Sequence, residues 1–166
     1  MTEANLKLEA KEFWEAAPFP YIVFDDFLPD GDFEEIQNEI INIPLADFDR
    51  YSNHVEQKYT LRDKTKLPVR TANFFEYLES DDFLLFLYTQ TGFSVEKDAY
   101  KHYWGIHLFH EGDRLDIHVD AGIHPKCNKR KFLTFGMYFT KGYKDEFDGK
   151  LELWSGDCST KSPVSY

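Results

Sequence analysis

Four short runs rich in β-branched and aromatic residues follow one another from Tyr100: YKHYWGIHLF, LDIHV, KFLTFGMYFT and KLELW. Between them lie HEGDR, HPKCNK and GYKDEFDG, whose Gly, Asp, Asn and Pro residues are the ones turns require. A segment of this texture cannot be a helical bundle. It predicts an all-β region, antiparallel because the separators are too short for crossover helices. The aromatic content points the same way: 16 Phe, 10 Tyr and 3 Trp make up 17% of the chain, and such bulky side chains favour half-buried pleated surfaces.

Ahead of that region the pattern is helical. Residues 4–16 read as a helix that ends before Pro18 and Pro20. PYIVFDDF reads as a short buried strand, and LPDGD as a turn, with Pro29, Asp30 and Gly31 supplying its backbone angles. In DFEEIQNEIINI, Phe33, Ile36 and Ile40 recur at steps of three and four with Ile41 alongside, which is one helical face. Glu34, Glu35, Asn38 and Glu39 fall largely outside it. Residues 44–70 are polar and mixed, with no clear period. Ser80 or Asp81 is placed to cap a helix running to about Tyr88–Thr91, and Gly92 to stop it. The expected organisation is one α+β domain over 1–166, with helical support over about 1–92 and a β portion over about 100–166.

Charge and cysteine usage narrow the function classes. The formal net charge is −11, which argues against nucleic acid and anionic membrane surfaces as partners, since both attract clustered positive charge. No apolar run approaches the ~20 residues of a membrane span. The opening MTEANLKLEAKEF lacks the basic-then-apolar pattern of a secretory signal. Cys127 and Cys158 are isolated, with no C-x-x-C, which fits a reducing compartment and a cytoplasmic protein.

The chemistry-bearing stretch is IHVDAGIHP, residues 117–125. On a strand, residues i and i+2 project from the same face, so His118 and Asp120 point together while Ile117 and Val119 point away. One imidazole nitrogen and one carboxylate oxygen form a mixed donor set suited to iron(II), manganese or zinc. An isolated H-x-D is more often a surface pair at a strand end, so the context decides.

That context is FHEGDRLDIHVD, in which Phe109, Gly112, Leu115 and His118 are spaced three apart. It resembles the Y-x-x-G-x-x-Y-x-x-H-x-D pattern of the prolyl 4-hydroxylase-like branch of the 2-oxoglutarate and iron(II)-dependent oxygenases. KFLTFGMYFT and DGKLELW are similar to two later strands of that family, with Lys131 standing for an arginine, and PFPYIVFDDFLPDGDFEEI is similar to its opening segment. The resemblance implies a double-stranded β-helix, jelly-roll or cupin-like, with the N-terminal helices packed on it. It implies a dioxygenase that hydroxylates a protein residue or a small molecule, using Fe(II), 2-oxoglutarate and O2, with ascorbate as reductant. His118 and Asp120 would be metal ligands and catalytic residues. Tyr138, Thr134 and Leu151 would line the 2-oxoglutarate pocket, with Gly136 on the same side.

The family's second metal histidine and its 2-oxoglutarate-binding Arg or Lys have no counterpart before the chain stops at LWSGDCSTKSPVSY. The expectation is therefore a β-helix incomplete at its C-terminus: the front part of a longer reading frame, or a noncatalytic relative serving as a binding or assembly module. Its open sheet edges would favour self-association. His102, His107 and His110 differ in strand parity and read as structural or solvated. The basic loop KCNKR, residues 126–130, reads as a solvated turn.

Overall fold

The computed structural model describes residues 10–100 and 104–158, together with the backbone of 161–163. The expected helix over 4–16 is helical across 10–15, here α1, and its earlier part lies outside the described residues, as does His102. The helices that follow are α2 (Asp30–Ile41), α3 (Val69–Leu78) and α4 (Asp81–Thr91). The strands are β1 (Asp49–Ser52), β2 (Glu56–Leu61), β3 (Ile106–Leu108), β4 (Arg114–Leu115), β5 (Glu152–Trp154) and β6 (Lys161–Pro163). The chain divides into two compact units: Met1–Glu34, Asn73–Lys97 and Tyr143–Tyr166 form one, and Glu35–Ala72 with Asp98–Gly142 form the other.

The first unit is held by aromatic rings. Phe24, Phe27, Phe83 and Phe86 pack with centroids 5.1–6.3 Å apart, and Tyr77 joins at Phe83. α1 buries Ala10 and Phe13, and Trp14 donates its indole N–H to the Thr91 carbonyl at 2.8 Å, closing the end of α4. The Ser80 side chain accepts from the Phe83 N–H at 3.2 Å, as an N-cap does. At the other end Gly92 takes φ 71° and donates to the Tyr88 carbonyl, a left-handed stop that an L side chain would strain. Ser80→Ala is expected to lower stability by ~1 kcal/mol, and Ser80→Gly by a few tenths, read from urea denaturation midpoints. β5 and β6 form an antiparallel pair, with Leu153 opposite Ser162.

The second unit is built on β2. At Thr60 the partners are Asp49 of β1 on one side and His107 of β3 on the other. At Gln57 they are Ser52 of β1 and Arg114 of β4, so β3 and β4 share one flank of β2 and β1 takes the other. All pairings are antiparallel. The core comprises Leu61, 1% exposed, with Ile36, Phe48, Thr60 and Thr71 also buried. Gln37, on the inner face of α2, donates to the Phe139 carbonyl at 3.1 Å. Glu39 accepts from the Thr71 N–H at 2.7 Å, the Thr71 hydroxyl at 2.8 Å and the Arg70 N–H at 3.2 Å. Its carboxylate thereby satisfies the first N–H groups of α3, where an anion is also favoured by the helix dipole.

Several expectations are corrected here. The fold is α+β, but the sheet is small, open and uncurled, not a double-stranded β-helix of jelly-roll or cupin-like form. A β-helix needs the runs after Tyr100 to pair with one another. Instead IHL and RL both pair with EQKYTL, from the middle of the chain that showed no period. KFLTFGMYFT keeps its alternation, with Leu133, Phe135 and Met137 half-buried and Phe132, Thr134 and Tyr138 exposed, yet joins no ladder. PYIVFDDF also forms no strand; its Phe24 and Phe27 serve the ring cluster instead. LPDGD is not a free turn: Asp30 opens α2, and the Phe33 N–H bonds back to the Pro29 carbonyl. α3 was not anticipated, because its cap comes from Glu39, 32 residues away from Thr71.

Candidate functional site

The chain between β3 and β4 makes a compact turn that aims the following residues. Gly112 has φ 85°, and Asp113 accepts from the His110 N–H at 2.9 Å while Arg50 of β1 grips its other oxygen at 2.6 Å. The Arg50 contact is the first cause holding the Asp113 carboxyl below its ordinary range. The turn lets one strand direction continue past an interruption along β2, and the last rung is the Asp116 N–H on the Val55 carbonyl at 2.8 Å. Beyond that rung the segment leaves the sheet. Ile117 and Val119 are 55% and 95% exposed, so the face opposite His118 is solvent rather than core.

His118 and Asp120 do converge. The His118 Nδ1 lies 2.8 Å from the Asp116 carbonyl oxygen. A carbonyl only accepts, so Nδ1 carries a proton, and Nε2 is the ring nitrogen turned toward Asp120. That Nε2 lies 3.4 Å from Asp120 Oδ1. The other oxygen, Oδ2, accepts from Lys131 Nζ at 2.6 Å and from the Thr134 hydroxyl at 3.1 Å. Partial burial pushes the Asp120 carboxyl up, but Lys131, Thr134 and His118 outweigh it and hold it below the ordinary carboxylate range.

The other histidines are placed separately. His107 pairs with Thr60 in the sheet; desolvation of its ring, then Lys58 and Arg62, hold its pKa down to about 4, although part of the residue meets solvent. His110 packs its ring on Tyr59 with centroids 5.1 Å apart. His124 is buried: its Nδ1 accepts from the Lys126 N–H at 3.1 Å, its Nε2 faces Asp98 at 3.4 Å, and its ring stacks on Tyr100. Among the described residues no group of three or more His, Cys, Asp and Glu side chains is arranged to hold a metal ion.

Comparison with family models, curated proteins and solved structures found no match. With the open sheet and the lack of a three-ligand group, this overturns the resemblance to the 2-oxoglutarate and iron(II)-dependent oxygenases. The dioxygenase function and its noncatalytic variant are corrected with it. Of the residues assigned to 2-oxoglutarate, Thr134 directs its hydroxyl to Asp120, Tyr138 is exposed, and Leu151 belongs to the other compact unit. No helix among the described residues is long and apolar enough to cross a membrane.

Sequence reasoning missed Lys131 as a partner of Asp120. Strand parity puts Lys131 and Thr134 on opposite faces, yet both reach the same carboxylate oxygen. The reason is that Lys131 sits at the end of a loop, its N–H bonded to the Gly122 carbonyl at 3.0 Å. An isolated antiparallel bridge between Ile123 and Arg130 closes that loop, and Asn128 turns it at φ 56°. The turn residues of HPKCNK were the available signal: a chain that reverses there must return beside Asp120.

Proposed function

We propose that this chain binds a divalent transition-metal ion through His118 Nε2 and Asp120 Oδ1, with water completing the coordination. The observation that carries this reading is the approach of two potential metal donors, His118 Nε2 and Asp120 Oδ1, to 3.4 Å, with Nδ1 already engaged by the Asp116 carbonyl. With the ring neutral, Nε2 and Oδ1 both offer lone pairs, and a cation between them is bonded by both. Donors each ~2.1 Å from an ion stand about 3.0 Å apart at an octahedral angle and about 3.4 Å apart at a tetrahedral one. The tetrahedral match, and the greater affinity of mixed nitrogen and oxygen sites for zinc than for iron(II) or manganese, favour zinc. Two protein donors make a weak, open site rather than a structural one. The isolated cysteines support a reducing, cytoplasmic setting.

Calorimetric titration with zinc at about 0.15 M salt tests the reading. A single weak site is expected, weakened in His118→Ala and kept in His124→Ala and His110→Ala. Affinity should fall as the solution is acidified, because the ion needs an unprotonated Nε2. If a proton alone bridges His118 and Asp120, zinc uptake will be the same in wild type and His118→Ala, and the proposal fails.

A further inference from the structure

We infer that Lys131 is a built-in cationic competitor at this site, weakening and tuning its affinity for the metal ion. The inference rests on the cation reading of His118 and Asp120. Lys131 Nζ sits 2.6 Å from Asp120 Oδ2, and its side chain is only 18% exposed, so this is a seated contact rather than a passing surface pair. The Thr134 hydroxyl holds the same oxygen from a second direction at 3.1 Å. Orientation of the carboxylate therefore does not depend on Lys131 alone: with the lysine gone, Thr134 still holds Oδ2 and leaves Oδ1 toward His118. What Lys131 adds is charge. It brings the local balance of the Asp120 pair to zero, so an incoming dication meets a neutralised carboxylate and a nearby ammonium group. It also occupies Oδ2, which restricts Asp120 to a single metal-bonding oxygen.

The size of the effect follows from charge and distance. A unit charge about 5 Å from a dication, in a water-like medium and screened by physiological salt, changes affinity by about fivefold. Lys131→Met, which keeps the length of the stem and removes the charge, is expected to tighten zinc binding about fivefold. Lys131→Arg keeps the charge and is expected to bind as wild type does. The salt dependence separates competition from packing: binding to Lys131→Met should weaken more steeply with added salt than binding to wild type, because the ion then meets an uncompensated anion. A merely structural lysine would not change that slope.

The experiment is zinc calorimetry on wild type, Lys131→Met, Lys131→Gln and Lys131→Arg, each repeated in the His118→Ala background at two salt concentrations. Circular dichroism melts confirm that each variant is folded, and the two neutral variants guard against a packing defect peculiar to one of them. His118-dependent binding that tightens in both neutral variants supports the competitor role. So does His118-dependent binding that becomes measurable only in them. Wild-type binding that is unchanged or weaker in both neutral variants overturns the role of Lys131 and leaves the metal site standing. No His118-dependent binding in any variant removes the metal site and this inference together.

Discussion

Asp120→Ala is expected to weaken zinc binding more than His118→Ala does. Either change removes one donor. Removing Asp120 does more, because Lys131 and Thr134 converge on its Oδ2 and the ammonium group then stands without that carboxylate beside the ion's position. The Asp120–Lys131 pair goes from neutral to singly positive, and a dication is repelled from a place that formerly attracted it. The loss should exceed tenfold and should be partly offset in the double variant Asp120→Ala/Lys131→Met, which restores neutrality without restoring the donor. Titration of the two single variants and the double variant measures this. Equal losses in His118→Ala and Asp120→Ala, with no offset in the double variant, would show that charge plays no part.

The second large effect concerns Glu39. Its carboxylate receives three hydrogen bonds, from the Thr71 N–H, the Thr71 hydroxyl and the Arg70 N–H, and Thr71 is fully buried. Glu39→Ala leaves the buried Thr71 N–H and hydroxyl without their acceptor, while the exposed Arg70 N–H can turn to water. The expected cost is ~2–3 kcal/mol, from the loss of charged hydrogen bonds and of the helix cap together. For a chain of 166 residues this corresponds to a fall in Tm of about 5–10 °C, seen by calorimetry. Glu39→Gln keeps one acceptor oxygen and should cost less.

The pH dependence has a definite sign. Burial pushes the Glu39 carboxyl up, but the bonds from Thr71 and Arg70 and the charge of Arg70 together hold it below its ordinary value of 4.5. A carboxyl depressed in the folded state contributes its stability above the unfolded pKa and loses it as the pH falls through the folded one. The stability gap between wild type and Glu39→Gln should therefore be full at neutral pH and shrink progressively below about pH 4.5. A gap that stays constant down to pH 3 would show that Glu39 acts by shape rather than by charge.

What the sequence determined by itself is local. Ser80 and Gly92 bracket α4 because a hydroxyl acceptor and a residue free to take positive φ are what the two ends of a helix need. The step of three and four in Phe33, Ile36 and Ile40 defined the inward face of α2. The i, i+2 spacing put His118 and Asp120 within reach of each other, although the segment that carries them is not the strand that the spacing suggested. Each of these depends on residues within a turn or two of one another, so no distant partner was needed to read it.

Strand pairing depends on which distant segment takes each edge, and that only the tertiary structure decided. EQKYTL, a segment with no alternation, became the central strand because it is flanked on both sides, and a strand so placed is not required to alternate. Its pairing with IHL and RL denied those runs to one another and with them the β-helix that their motif resembled. The capping of α3 by Glu39 and the seating of Lys131 on Asp120 are of the same kind. In both, two charged or polar groups meet across a chain reversal, and neither the period nor the spacing of the residues around them carries that information.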